Sequence, residues 1–234
     1  MFVYGKNVAK ELINNKRKIK IAYLLNSYEN NDIDLLLKKA NVNVQYVDRK
    51  KLDKMVDKNH QGIILEIDDY KYLSEKEMLE NLGDNPFIVL LDHIEDPHNF
   101  GAIIRTCEAA GVDYIIIPKN RSVGVNSTVM KTSTGALDNV NIVQITNINQ
   151  TIEKLKKKGV WIVGTDMENS SVYDELDYKI PICIIIGSEG FGMSNLVKKN
   201  CDFIARIPMY GKINSLNASV AAGIMIYEVV RQRK

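Results

Sequence analysis

The sequence predicts an α/β protein in two parts: a small layered unit, then a larger domain built on a parallel sheet. Three observations predict this. Runs of branched apolar residues such as FIVLLD (87–92), DYIIIP (113–118) and ICIIIG (182–187) lack polar alternation, as strands covered on both faces do. Helical patterns separate them, which is the arrangement of a sheet with helices on its faces. Apolar content falls where DDYKY (68–72) runs into SEKEMLENLGDNP (74–86), and Gly83 and Pro86 punctuate the stretch, marking a boundary.

The elements follow in order. Residues 1–70 alternate helical KNVAKELI, extended IKIAYLL, helical DIDLLLKKA, extended VNVQYV, helical KKLDKMV and extended GIILEI. Residues 71–86 read as a linker. From Phe87 the second series is FIVLLD, helical NFGAIIRTCEAAG, DYIIIP, a stretch through SVGVNSTVMKTSTGA, then NIVQI. Helical INQTIEKLKKKG, extended VWIVGTD and ICIIIG, helical MSNLVKKNC and extended FIARIP come next, and a last helix spans about Leu216 to Arg233. The predicted division is 1–70, 71–86 and 87–234.

With 45% hydrophobic and 26% charged residues in 234, the chain has an ordinary globular composition. The start, MFVYGKNVAKELINNKRKIK, lacks the apolar core and cleavage site of a signal peptide, and no window reaches the ~18 apolar residues of a membrane span. A cytoplasmic protein without membrane attachment is expected. Cys107, Cys183 and Cys201 show no C-x-x-C spacing and lie in apolar contexts, and His60, His93 and His98 lack ligand spacing, so no metal is expected. The net charge of +2 hides an asymmetry: residues 1–72 carry 14 Lys/Arg against 10 Asp/Glu. That excess suits a polyanion, although lysines on a solvated helix face produce the same count.

Three loops leave the C-terminal ends of predicted strands, where open α/β sheets bind ligands. In GSEGFGMS (187–194) the glycines have the spacing of a phosphate loop, but Met193 replaces its lysine and Glu189 would put a carboxylate in the anion cradle. The dinucleotide fingerprint fails as well, because Gly190-x-Gly192 is followed by Asn195 and only 39 residues remain. What survives is a sharp backbone turn able to approach a ligand closely. The second loop, DHIEDPHNFG (92–101), leads into a helix with Asn99 as a competent N-cap. Arg105 beyond it either snorkels at the helix edge or points into a cleft. The third, IPMYGKINSLNAS (207–219), offers Asn214, Ser215, Asn217 and Ser219, more hydrogen-bonding groups than one cap can use; Ser215 or Asn217 is the cap.

NFGAIIRT, IIIGSEGFGMS and IPMYGKINSLNASVAAGI together resemble, in order and spacing, the three signature motifs of the SpoU/TrmH family within the SPOUT class of RNA ribose 2'-O-methyltransferases. The N-terminal unit, with Asn59-His60-Gln61-Gly62, resembles the L30e-like substrate-binding domain of the 23S rRNA guanosine methyltransferase subgroup. The resemblance implies a C-terminal trefoil knot, a homodimer, S-adenosylmethionine as cofactor and methylation of a guanosine in 23S rRNA, with tRNA as the alternative substrate. By motif match it implies a donor site of Thr165, Gly187, Glu189, Ile207, Pro208, Met209, Ser215, Leu216 and Asn217. It also implies catalytic roles for Asn99, Arg105, Glu189, Ser215 and Asn217, with His98 structuring its loop. A donor without phosphate accounts for the missing lysine at 193. Arginine holds its proton with a pKa above ~12, so Arg105 is expected to bind phosphate and stabilise an alkoxide, leaving the base open. A non-catalytic RNA-binding module would need a damaged site, and these residues are intact; a nucleotide-dependent oxidoreductase or NTPase fails on the loop itself.

Overall fold

A computed structural model of the chain describes residues 1–28, 31–57, 59–188, 190, 192–213 and 215–234. Two compact units emerge, Met1–Lys71 with Val125–Gly135, and Tyr72–Gly124 with Ala136–Lys234. In chain order the first unit runs β1 (Phe2–Tyr4), α1 (Lys6–Asn14), β2 (Ile19–Leu25), α2 (Asn31–Lys39), β3 (Val44–Val47), α3 (Arg49–Met55) and β4 (Ile63–Ile67). The second opens with α4 (Glu75–Glu80), β5 (Phe87–Asp92), α5 (Pro97–Ala110) and β6 (Tyr114–Pro118). After α6 (Ser127–Ser133), which belongs to the first unit, it resumes with β7 (Ile142–Ile145), α7 (Ile148–Lys157), β8 (Trp161–Thr165), β9 (Ser171–Val172), β10 (Ile182–Gly187), α8 (Asn195–Asn200), β11 (Phe203–Arg206) and α9 (Ala218–Arg233).

The first unit is a mixed four-stranded sheet in the order β1-β4-β2-β3, with β4 antiparallel to both neighbours and β2 parallel to β3. Leu24, Ile33, Leu37, Ile63 and Leu65 form its buried centre. The short strand β1 escaped sequence reading because three residues carry no period. The segment 125–135 also departs from the predicted division. Asn126 caps α6 by accepting from the backbone of Thr128 and Val129 (2.9 and 3.0 Å), and Val129 and Met130 are buried with this unit although they follow β6 in sequence.

The second unit bears out the parallel sheet. Its order is β7-β6-β5-β10-β8-β11-β9, and each neighbouring pair is parallel. On one face Ile88, Leu90, Ile116, Cys183 and Ile185 pack with Met78, Ile152, Leu155 and Val197 from α4, α7 and α8. On α5 and α9, which pack together, Phe100, Ile103, Ile104, Met225, Ile226 and Val229 are buried. Each fully buried side chain of this size contributes about 1.5–3 kcal/mol, so both faces of β5 and β10 are held by apolar burial. The cysteines behave as small hydrophobes: Cys107 and Cys183 are buried, and burial pushes the half-buried Cys201 thiol up to about 12.

Residues 71–86 are more than a linker. Leu73 bridges to Val143, and Ser74 begins α4 with a capping box, accepting from Glu77 N (3.2 Å) while Glu77 accepts from Ser74 N (2.7 Å). The polar sequence hides Met78 and Leu79 on α4 and Leu82 just beyond it; Met78 is buried in the core and the other two pack against it. At the other end of the domain, Arg233 donates to the carbonyls of Tyr178, Ile180, Asn85 and Pro86 (2.7–3.3 Å), stapling α9 to the starts of β5 and β10. We expect Arg233→Ala to lower unfolding stability by about 2–3 kcal/mol, because several part-buried carbonyls lose a charged donor. Arg233→Lys should recover less than half, since one ammonium cannot span four carbonyls; urea unfolding checks both.

Candidate functional site

The order of strands in sequence reverses between β5 and β10, which makes their C-terminal ends the switch point of the sheet. The two ends are register partners, Gly187 opposite Asp92. Asp92 is fully buried; its Oδ2 accepts from Ser194 N at 3.2 Å and its Oδ1 meets His93 Nδ1. A buried carboxylate therefore ties the segment after the glycine turn to the end of β5.

The turn itself closes on a pair of backbone bonds, Ser188 N to Gly192 O (3.1 Å) and Gly192 N to Ser188 O (2.9 Å). A Cβ at position 187 would lie 2.4 Å from the carbonyl carbon of Gly192 and 2.6 Å from Met193 N, so only glycine fits there. Beneath the turn Met193 is buried, and a Cβ on Gly164 would lie 2.5 Å from its Cε. Met193, which broke the phosphate-loop pattern, is the plug that seats the turn on β8.

Two cavities flank this turn. One, of about 520 Å³, is lined by Thr165, Asp166, Gly187, Ile207, Met209, Ser215, Leu216 and neighbouring residues including Lys198. The other, of about 560 Å³, is lined by His93, Glu95, Asp96, Asn99, Arg121, Ser194 and others. Ser188, Gly190, Gly192 and Ala218 line both. Each is large enough for a nucleoside-sized ligand. Six of the residues expected at a donor site, Thr165, Gly187, Ile207, Met209, Ser215 and Leu216, thus meet in one cavity. Pro208 and Asn217 do not line it, and Glu189 lies outside the described residues, as does Asn214. The Thr165 hydroxyl donates to Ile185 O at 3.0 Å, so it also ties β8 to β10.

The caps differ from expectation at one helix and agree at the other. Asp96, not Asn99, caps α5 by accepting from His98 N (2.9 Å), because Pro97 takes the first helical position with its preset φ. Asn99, inside the first turn and buried, instead accepts from Asn217 Nδ2 at 2.9 Å. Asn217 is the cap of α9, its Oδ1 accepting from Ser219 N (3.0 Å) and Val220 N (3.4 Å). The carboxamide of Asn217 thus joins the starts of α5 and α9. Arg105 is exposed and lines neither cavity; six residues beyond Asn99 it lies roughly 240° further around the helix.

Three polar residues went unnoticed in sequence. Asp166 and Lys198 pair across the first cavity, and Arg121 lines the second. Their signal was position: Asp166 and Arg121 follow the C-terminal ends of β8 and β6, the same kind of place as the three loops that were followed. Desolvation raises the Asp166 pKa, but the Lys198 ammonium and the backbone N–H groups of Glu168 and Met167 outweigh it and hold the carboxyl below its usual value. Among the described residues no cluster of His, Cys, Asp and Glu could hold a metal ion.

A depressed carboxyl contributes stability above its unfolded pKa and loses it as pH falls through the folded value. The stability difference between the protein and Asp166→Asn should therefore be full near neutrality and shrink below about pH 4, as denaturant titrations at several pH values would show. Gly187→Ala should disrupt the turn and lower the unfolding midpoint, whereas Gly190→Ala, with nothing within 4 Å of its added Cβ, should leave it nearly unchanged.

Comparison with known proteins places the chain in a defined neighbourhood. Residues 86–227 match the model of the SpoU rRNA Methylase family, and residues 2–73 match that of RNA 2'-O ribose methyltransferase substrate binding. The chain is 43% identical, over 99% of its length and 96% of the other, to the Bacillus subtilis protein YacO, assigned to the TrmH family of tRNA/rRNA methyltransferases. An AdoMet-bound rRNA methyltransferase from Sinorhizobium meliloti superposes with a TM-score of 0.77 at 26% identity, covering 98% of this chain and 86% of that one. A TrmH/SpoU tRNA modifying enzyme from A. aeolicus is 33% identical with a TM-score of 0.58, covering 68% of this chain and 80% of that one.

Proposed function

The chain belongs to the SpoU rRNA Methylase family, and from that membership we propose that it methylates a ribose 2'-hydroxyl in RNA with S-adenosylmethionine, its target a guanosine of 23S rRNA. The observation that carries the reading is the pair of cavities divided by one glycine turn: a donor on one side and a ribose on the other meet at Gly190, Gly192 and Ala218. The donor fits the residues present. Its cavity has no lysine in the glycine turn, and the absent Cβ of Gly187 lets the chain fold back to form the wall. Thr165, Ile207, Met209, Ser215 and Leu216 would hold it with Gly187, while Pro208, Asn217 and Glu189 complete the proposed set. When bound, S-adenosylmethionine supplies an electrophilic methyl group on a sulfonium.

The chain's own residues do the rest. Asn99 lines the ribose cavity, and the Asn217 Nδ2 donor fixes its carboxamide, so it meets a substrate already oriented and without a reorganisation cost. Arg105 is exposed, which suits a guanidinium that meets an RNA phosphate arriving from solvent. Ser215 and Glu189 complete the proposed catalytic group. The reading includes the C-terminal knot, a homodimer and a cytoplasmic location. An exposed apolar stripe on α9, Val220 and Tyr227 at half exposure with Ile224 between them, supports a partner subunit. Among the described residues no helix is long and apolar enough to cross a membrane.

The rRNA target is favoured over tRNA by coverage. The Sinorhizobium rRNA enzyme matches nearly the whole chain, including the N-terminal unit, whereas the tRNA modifying enzyme matches 68% of it. The basic excess of residues 1–72 suits phosphate contact by that unit. Incubated with methyl-labelled S-adenosylmethionine and separate protein-free 23S rRNA and tRNA fractions, the protein should label a ribose 2'-oxygen of guanosine in 23S rRNA. Label in tRNA alone would reassign the substrate, and label in neither would refute the reading.

A further inference from the structure

We propose that Arg121 is the residue that grips the target RNA's backbone in the second cavity, binding the phosphodiester next to the ribose that is methylated. The inference rests on the methyltransferase reading and adds to it a substrate-binding residue. That cavity has an electrostatic problem: Glu95 and Asp96 line it, and an RNA strand entering beside two carboxylates would be repelled. Among the described residues lining it, Arg121 is the one side chain with a permanent positive charge. It is solvent-exposed and forms no hydrogen bond or ion pair among the described residues, so its five donors are available.

The backbone presents it deliberately. Arg121 has φ of 54°, the left-handed region that a non-glycine residue adopts only when its surroundings hold it there. The holding contacts are next to it: Ser122 Oγ and Val123 N both donate to Ile94 O, at 3.3 and 2.9 Å. Ile94 belongs to the loop between β5 and α5, so the turn carrying Arg121 is pinned to the wall that carries Asp96 and Asn99. A cation fixed relative to Asn99 is what positioning a 2'-hydroxyl requires, because in RNA that hydroxyl neighbours the 3'-phosphate on the same ribose. The planar guanidinium matches two phosphate oxygens at once, which a lysine cannot do.

The test uses the full-length protein, Arg121→Gln and Arg121→Lys, with protein-free 23S rRNA and tRNA as probes. For the RNA that the unsubstituted protein methylates, Arg121→Gln should raise KM about tenfold or more and reduce the slope of log affinity against log salt by about 1. Arg121→Lys should restore the slope and only part of KM. Affinity for S-adenosylmethionine and the unfolding midpoint should be the same in all three. An unchanged slope and KM in Arg121→Gln would overturn the inference while leaving the methyltransferase reading intact. So would a loss of donor affinity or stability without a change in slope, which would make Arg121 a structural residue. If the unsubstituted protein neither binds the donor nor labels RNA, the underlying reading falls, and this inference with it.

Discussion

Everything at the site depends on how closely β10 doubles back on itself. Position 187 is register partner to the buried Asp92 and has backbone of residues 192 and 193 where a side chain would begin. A Cβ there would sit a full ångström inside ordinary contact, so glycine is a steric requirement and not a preference. The turn is then locked from three sides: by its own two backbone bonds, by the Asp92 carboxylate accepting from Ser194 N, and by Met193 filling the space that Gly164 leaves open.

That lock sets the geometry of both cavities, because the same few residues of the turn form the partition between them. The partition stands at the switch point of a parallel sheet whose central strands are buried on both faces, so it rests on the most rigid part of the domain. At the opposite rim a carboxamide links two helix starts. Asn217 caps α9 through its oxygen and reaches Asn99 through its nitrogen, so one side chain sets the start of one helix and orients a polar group at the start of another. Stability and function therefore share the same contacts here, and a change to the cap moves a proposed catalytic group.

How legible this was in sequence varied with the physics of each element. FIVLLD and ICIIIG could be read because strands buried on both faces need unbroken apolar runs, and the loops after them could be read because parallel sheets bind ligands at that end. The strand β1 and helix α4 could not, one for want of length and the other because the two apolar residues of a short helix vanish in a charged stretch. Asn99 was misread as a cap because Asp96-Pro97 three residues earlier is the better start. That misreading hid its more informative role as the partner of Asn217. Arg121 was missed because its loop, KNRSVG after β6, lies in none of the three motif-bearing loops and shows only the right position after a strand. Arg105, whose role came from motif match, is exposed and lines neither cavity, a placement that helix periodicity shows only once the helix start is known.

The central claim is that the cavity bounded by Thr165, Gly187, Ile207, Met209 and Leu216 holds the methyl donor, with the turn between it and the ribose. A crystal structure of the full chain with S-adenosylhomocysteine bound tests it most directly. The account predicts the nucleoside in that cavity, against the backbone of Gly187, Ile207 and Leu216, with its sulfur toward the shared wall at Gly190 and Gly192. A ligand bound in the cavity of His93, Asp96 and Arg121, or outside both, would contradict it.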